Sequence, residues 1–218
     1  MTGPDELSDS LILFKEGNPT HLKGWIDCAL EMLGSIPLYK NTLVLRALHN
    51  DERQLTGHEK NGLDMLGRDI AWTFGGKYQP SLLAKSKTTR KFGLFQHTKR
   101  EREAALQNVY SLTAPLPEGD HSRILLIDDI VTTGATASAI IRVIKASAPA
   151  ANITVFSLAR ASRDHAFNTG IQLKGRDSQW QPDSGWVVQE EAMPYGLLNG
   201  AAEMSLAKLT GLIQGDAF

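Results

Sequence analysis

At 218 residues with 42% hydrophobic content, the chain can bury one substantial core, and it reads as one elaborated domain. A formal net charge of −1 excludes any global drive toward nucleic acid or anionic membranes, and a single cysteine excludes an intrachain disulfide or a cysteine-rich zinc site. No apolar run approaches the roughly 20 residues needed to span a bilayer, and Met1-Thr-Gly-Pro-Asp-Glu6 has neither the basic nor the apolar region of a secretory leader, so a cytoplasmic location is expected.

In chain order, Thr20 is placed to cap a helix whose Leu22, Trp25, Ile26, Ala29 and Leu33 share one face until Gly34. Trp25 and Cys28 read as core residues of that helix. Thr42 to Leu48 predicts a strand, and a polar turn through Gly57 leads to a second helix with Leu63, Leu66, Gly67 and Ile70 aligned. Ser81 to Ala84 predicts a short strand after Pro80. Helix, strand, helix, strand is the order of a parallel sheet.

No acidic residue occurs from Ile70 to Arg100, while Lys85, Lys87, Arg90, Lys91, Lys99 and Arg100 surround Gly93. Such a local basic patch serves a polyanionic ligand or is simply a solvated loop. The six histidines lack the i, i+4 spacing of a helical metal pair.

The segment Ile124-Leu-Leu-Ile-Asp-Asp-Ile-Val-Thr-Thr-Gly134 carries the most chemistry. Four aliphatic residues have the composition of a strand covered on both faces, and Ala137, Ile140, Ile141 and Ile144 have helical spacing beyond the turn. The acids and threonines therefore sit at a strand's C-terminal end, where open α/β sheets bind ligands. Thr132 to Thr136 bring backbone N–H groups and hydroxyls to a helix N-terminus, which favours a phosphate. Ionised Asp128 and Asp129 only accept hydrogen bonds, so they suit vicinal ribose hydroxyls or waters of a magnesium ion. A sugar phosphate satisfies both halves. Ile153 to Ala159 then predicts another buried strand, completing an α/β, doubly wound core.

This segment resembles the phosphoribosyl pyrophosphate (PRPP) signature of type I phosphoribosyltransferases, matching it without a gap. The resemblance implies that family's fold: a doubly wound, mainly parallel sheet flanked by helices, with a flexible basic loop and a C-terminal extension. It implies ribose binding by Asp128 and Asp129, and 5′-phosphate binding by Thr132, Thr133, Gly134, Ala135 and Thr136. Lys91, Arg100 and Arg102 become the catalytic candidates of the closing loop. Arg46 and Ala47 fall where the family has its pyrophosphate loop; Arg46 suits a diphosphate oxygen, and equally a structural ion pair. The implied reaction displaces pyrophosphate from PRPP with a nitrogen nucleophile. Magnesium is the implied cofactor, held through substrate and by Asp128 and Asp129 rather than by a dedicated cluster. Implied partners are PRPP, a nucleobase or amine, and a second copy of the chain, with no membrane.

A phosphoacceptor receiver domain also ends a strand in an acidic pair, but there the pair opens the domain, whereas Asp128 stands past the middle of this chain. Within the superfamily, Leu13-Phe-Lys-Glu-Gly17, the series Gln96, Arg102, Asn108, and Ser157-Leu-Ala-Arg160 look like the competence protein F branch. That branch's Pro-x-Pro-Leu-His stands here as Leu45-Arg-Ala-Leu-His49, its Arg-Gly-Phe-Asn-Gln as Thr56-Gly-His-Glu-Lys60, and its four-cysteine zinc module has no counterpart. The alternatives to turnover are a non-catalytic PRPP or nucleotide-binding regulator and a single-stranded DNA handling factor, the latter resting on Lys85 to Arg102. The expected organisation is an N-terminal helical extension or hood over 1–40, a core over 41–163 and a C-terminal extension over 164–218. In that extension Trp180 and Trp186 suit either base stacking or buried packing, and a closing helix is expected near Ala201 to Gln214.

Overall fold

A computed structural model describes residues 6–34, 40–56, 61–89, 99–116, 123–131, 133–160, 175–181 and 185–191. Helix α1 (Glu6–Lys15) precedes α2 (Pro19–Gly34), then come β1 (Leu43–Arg46), α3 (Gly62–Phe74), β2 (Lys77–Tyr78) and β3 (Leu83–Lys85). Helix α4 (Lys99–Ala105), β4 (Tyr110–Leu112), β5 (Arg123–Val131), α5 (Ala135–Ser147), β6 (Asn152–Arg160), β7 (Gly175–Gln181) and β8 (Gly185–Glu191) follow.

Four strands form a parallel sheet in the order β2-β1-β5-β6. The aliphatic run of β5 lies at its centre, with Leu125, Leu126 and Ile127 fully buried. Strand alternation divides its side chains between two cores. Leu43, Leu45, Ile124 and Leu126 pack with Ile140, Ile141 and Ile144 of α5, whereas Val44, Leu125, Ile127 and Phe156 pack with α1, α2 and α3. Helices therefore cover both faces, and each fully buried Leu or Ile stabilises by about 1.5–3 kcal/mol. The expected α/β architecture with a helix-flanked parallel sheet is what the chain adopts.

Residues 6–34 share the second of these cores. The N-cap of α2 is Asn18 rather than Thr20: its Oδ1 accepts from Thr20 N at 3.2 Å and His21 N at 3.5 Å, with Pro19 opening the first turn. Trp25 is buried as expected, and its Nε1 donates to Ser10 Oγ of α1 at 3.1 Å.

The segment after Pro80 departs further from expectation. Residues Pro80–Leu82 make a 3₁₀ turn, and β3 leaves the main sheet to pair antiparallel with β4. The strand that continues the sheet after α3 is β2, two residues too short for its alternation to be read. Strands β7 and β8 pair antiparallel with Trp180 opposite Trp186 in register, and the expected closing helix near Ala201 lies outside the described residues.

Gly67 lets α3 close onto β2, because a Cβ there would run into the Tyr78 ring. Gly67→Ala is expected to cost about 1–3 kcal/mol through overpacking. A urea melt with an unchanged midpoint would contradict that close contact.

Candidate functional site

Strand β5 runs two residues beyond Asp129, and the turn behind it feeds α5 through Gly134, which adopts the left-handed conformation (φ 73°) that favours glycine. No side chain caps α5. Its first backbone bond from this turn is Ser138 N to Gly134 O at 2.9 Å, so the N–H groups of Ala135, Thr136 and Ala137 precede the helical ladder. They flank a cleft lined by Arg102, Asp128, Thr133, Gly134, Ala135 and Thr136 among others, holding about 320 Å³ including its open mouth. Thr133 Oγ1 is buried there without a hydrogen-bond partner among the described residues. Thr132 lies outside them.

The two acids of the signature lie on opposite faces of β5. Asp128 continues the Ile124 and Leu126 face and lines the cleft, while Asp129 continues the Leu125 and Ile127 face toward α1. Burial, and after it the charge of Asp129, push the Asp128 carboxyl above the usual carboxylate range, although the Asp129 N–H, 2.9 Å from Asp128 Oδ1, and Lys15 oppose this. Asp129 Oδ1 accepts from Ile130 N at 2.5 Å, and its Oδ2 meets Lys15 Nζ at 2.6 Å. His49 Nδ1 is 3.9 Å from the same Oδ2.

Of the expected catalytic cations, Arg102 is buried in the cleft wall on α4, Arg100 is exposed on the same helix, and Lys91 lies outside the described residues.

Arg46 requires a correction. Its side chain is fully buried, its two terminal nitrogens grip Glu52 at 2.8 and 2.7 Å, and Nη2 also reaches Asp64 Oδ2 at 2.9 Å. Burial would lower the guanidinium's pKa, but the hydrogen bonds to Glu52 and Asp64 outweigh that and hold it above its ordinary value. For Glu52, burial likewise opposes ionisation, and the Arg46 hydrogen bond wins and lowers its pKa. Tyr78 donates its hydroxyl to Asp64, extending the network. Arg46 is thus the structural ion-pair partner and not a group offered to a diphosphate. Neighbouring Ala47 is buried too, its N–H donating to Ile127 O at 2.9 Å.

What that network does is fix the loop after β1. Glu52 Oε2 accepts from His49 N at 2.6 Å, and Lys85 Nζ donates to His49 O. Burial lowers the Lys85 pKa, against the opposing charges of Glu52 and Asp51. Among the described residues of the basic segment, Lys85 and Arg102 are buried while Lys87 and Arg100 are exposed.

Sequence reasoning left Lys15 and His49 out of the site. Both stand in segments singled out by resemblance, Leu13-Phe-Lys-Glu-Gly17 and Leu45-Arg-Ala-Leu-His49. Their approach to Asp129 depends on α1 and the β1–α3 loop packing on one sheet face, which no local pattern encodes.

No protein-family model matches the chain, and no curated protein matches it. Among solved structures, it is similar to adenine phosphoribosyltransferase from Saccharomyces cerevisiae complexed with D-2,5-dideoxy-2,5-imino-altritol 1,6-bisphosphate and adenine. That likeness is 17% in identity, covers 67% of this chain and 72% of the other, and has a TM-score of 0.42. It is too slight to transfer anything to this chain.

Proposed function

We propose that the chain binds PRPP at the cleft between β5 and α5 and transfers its phosphoribosyl group to a nitrogen nucleophile, a nucleobase or an amine. The observation that carries this reading is the uncapped N-terminus of α5, with Asp128 and Thr133 lining one cleft and the Thr133 hydroxyl without a hydrogen-bond partner among the described residues. The 5′-phosphate would take the N–H groups of Ala135 to Ala137 and the threonine hydroxyls, where the helix dipole favours negative charge. Asp128 would accept from a ribose hydroxyl. Arg102, in the cleft wall, would stabilise charge that develops on the leaving diphosphate.

No cluster of three or more His, Cys, Asp or Glu able to hold a metal ion occurs among the described residues. A half-buried carboxyl that lines the cleft nonetheless fits a cation that arrives with its own substrate oxygens, with Asp128 as the protein group that would face it. Bound that way, magnesium supplies charge neutralisation for the diphosphate. The protein's part is to position the ribose and exclude water, because an oxocarbenium-like transition state needs electrostatic stabilisation more than a protein nucleophile.

Calorimetric titration with PRPP and magnesium, followed by pyrophosphate release across a panel of nucleobases and ammonia, tests the proposal. Binding with release in the presence of one acceptor is the expected result. Binding without release would favour a PRPP-binding regulator, and the absence of binding would overturn the assignment.

A further inference from the structure

We propose that Lys15 is a positioning residue of this PRPP site, acting through Asp129, so that the N-terminal helix α1 completes a site built on the sheet. The inference rests on the PRPP reading above. Asp129 is buried and points away from the cleft, yet its backbone N–H holds Oδ1 of Asp128, the acid that faces the cleft. Whatever fixes residue 129 therefore fixes the orientation of the Asp128 carboxylate. Strand pairing of Asp128 with Ser157 and of Ile130 with Ala159 holds the backbone there, and two contacts hold the side chain: the Ile130 N–H on Asp129 Oδ1, and the Lys15 ammonium on Oδ2 at 2.6 Å.

Lys15 comes from a well-anchored origin. It is the last residue of α1, and the chain behind it closes tightly, with Gly17 N donating to Phe14 O at 3.0 Å and Asn18 N to Leu13 O at 2.9 Å. Phe14 is fully buried against Trp25, and Ser10 Oγ lies 2.8 Å from His21 Nδ1, tying α1 to α2. His49 Nδ1, at 3.9 Å, is beyond hydrogen-bond distance from Asp129 and does not substitute for Lys15. The Lys15 side chain is 33% exposed against 10% for Asp129, so removing the lysine strands a buried carboxylate, whereas removing the carboxylate leaves a cation that water can still reach.

The test is a double-variant cycle read by PRPP titration in the presence of magnesium, on wild type, Lys15→Met, Lys15→Arg, Asp129→Asn and the Lys15→Met, Asp129→Asn pair. Lys15→Met is expected to weaken PRPP about tenfold, and Lys15→Arg to stay within about threefold of wild type. Adding Lys15→Met to Asp129→Asn should change affinity less than about twofold. Wild-type affinity in folded Lys15→Met overturns the role of Lys15 while leaving the PRPP site standing. A tenfold loss that persists in the Asp129→Asn background also overturns it, because Lys15 would then act by another route. Should Lys15→Met alone fail to fold, Lys15→Gln, which keeps a donor for Asp129 Oδ2 but loses the charge, is read in its place: a loss of PRPP affinity that disappears in the Asp129→Asn background supports the role, and wild-type affinity overturns it. A wild type that does not bind PRPP overturns both readings, and that result is visible before any variant is made.

Discussion

Asp128→Asn is expected to make the ligand-free protein more stable and at the same time to weaken PRPP binding about 10- to 100-fold, the scale of a hydrogen bond to a charged group. Both effects have one cause. Burial first, and the charge of Asp129 second, raise the folded-state pKa of the Asp128 carboxyl. A carboxyl shifted upward favours the protonated form, so its contribution to stability is complete below the unfolded value near pH 4 and is lost as pH rises through the folded-state value. A neutral amide escapes that loss. At pH 7 to 8 the variant should gain on the order of 1 kcal/mol, or about 2–4 °C in Tm for a chain of this size, and the gain should vanish toward pH 4. Thermal melts across that pH range check the sign. A variant less stable than wild type at neutral pH would mean that Asp128 belongs to the folded framework and is not held in reserve for a ligand.

Arg46→Met is expected to destabilise the protein by about 3–5 kcal/mol, since it leaves Asp64 and Glu52 without the cation that neutralises them. The Tm should fall by about 10 °C, and Arg46→Lys should fall between, because one ammonium cannot make the two-pronged grip on Glu52. The same experiment separates the two roles weighed for this arginine. A substrate-binding residue would leave the melt unchanged and lose only affinity.

The strand, turn and helix around Asp128 were legible because each signal there is local. Four aliphatic residues in a row, a glycine at the turn and a 3.6-residue apolar spacing each specify backbone without reference to the rest of the chain. The burial of Trp25 and the helix at Leu63 were legible for the same reason. Strand β2 was not, since two residues carry no period, and the departure of β3 from the main sheet was decided by its pairing with β4, across α4.

Local patterns are thus enough to specify strand β5, helix α5 and the residues of the turn between them, because backbone preference and apolar period act over a few neighbouring positions. Which charges face the cleft depends instead on how the elements pack. Period-two alternation sends Asp128 into the cleft and Asp129 to Lys15, and the packing of α3 on β1 buries Arg46 between Asp64 and Glu52. A charged side chain's role is set by what lies within a few ångströms of it in space, and for Lys15, Arg46 and Asp129 those partners come from distant parts of the chain or from the opposite face of a strand.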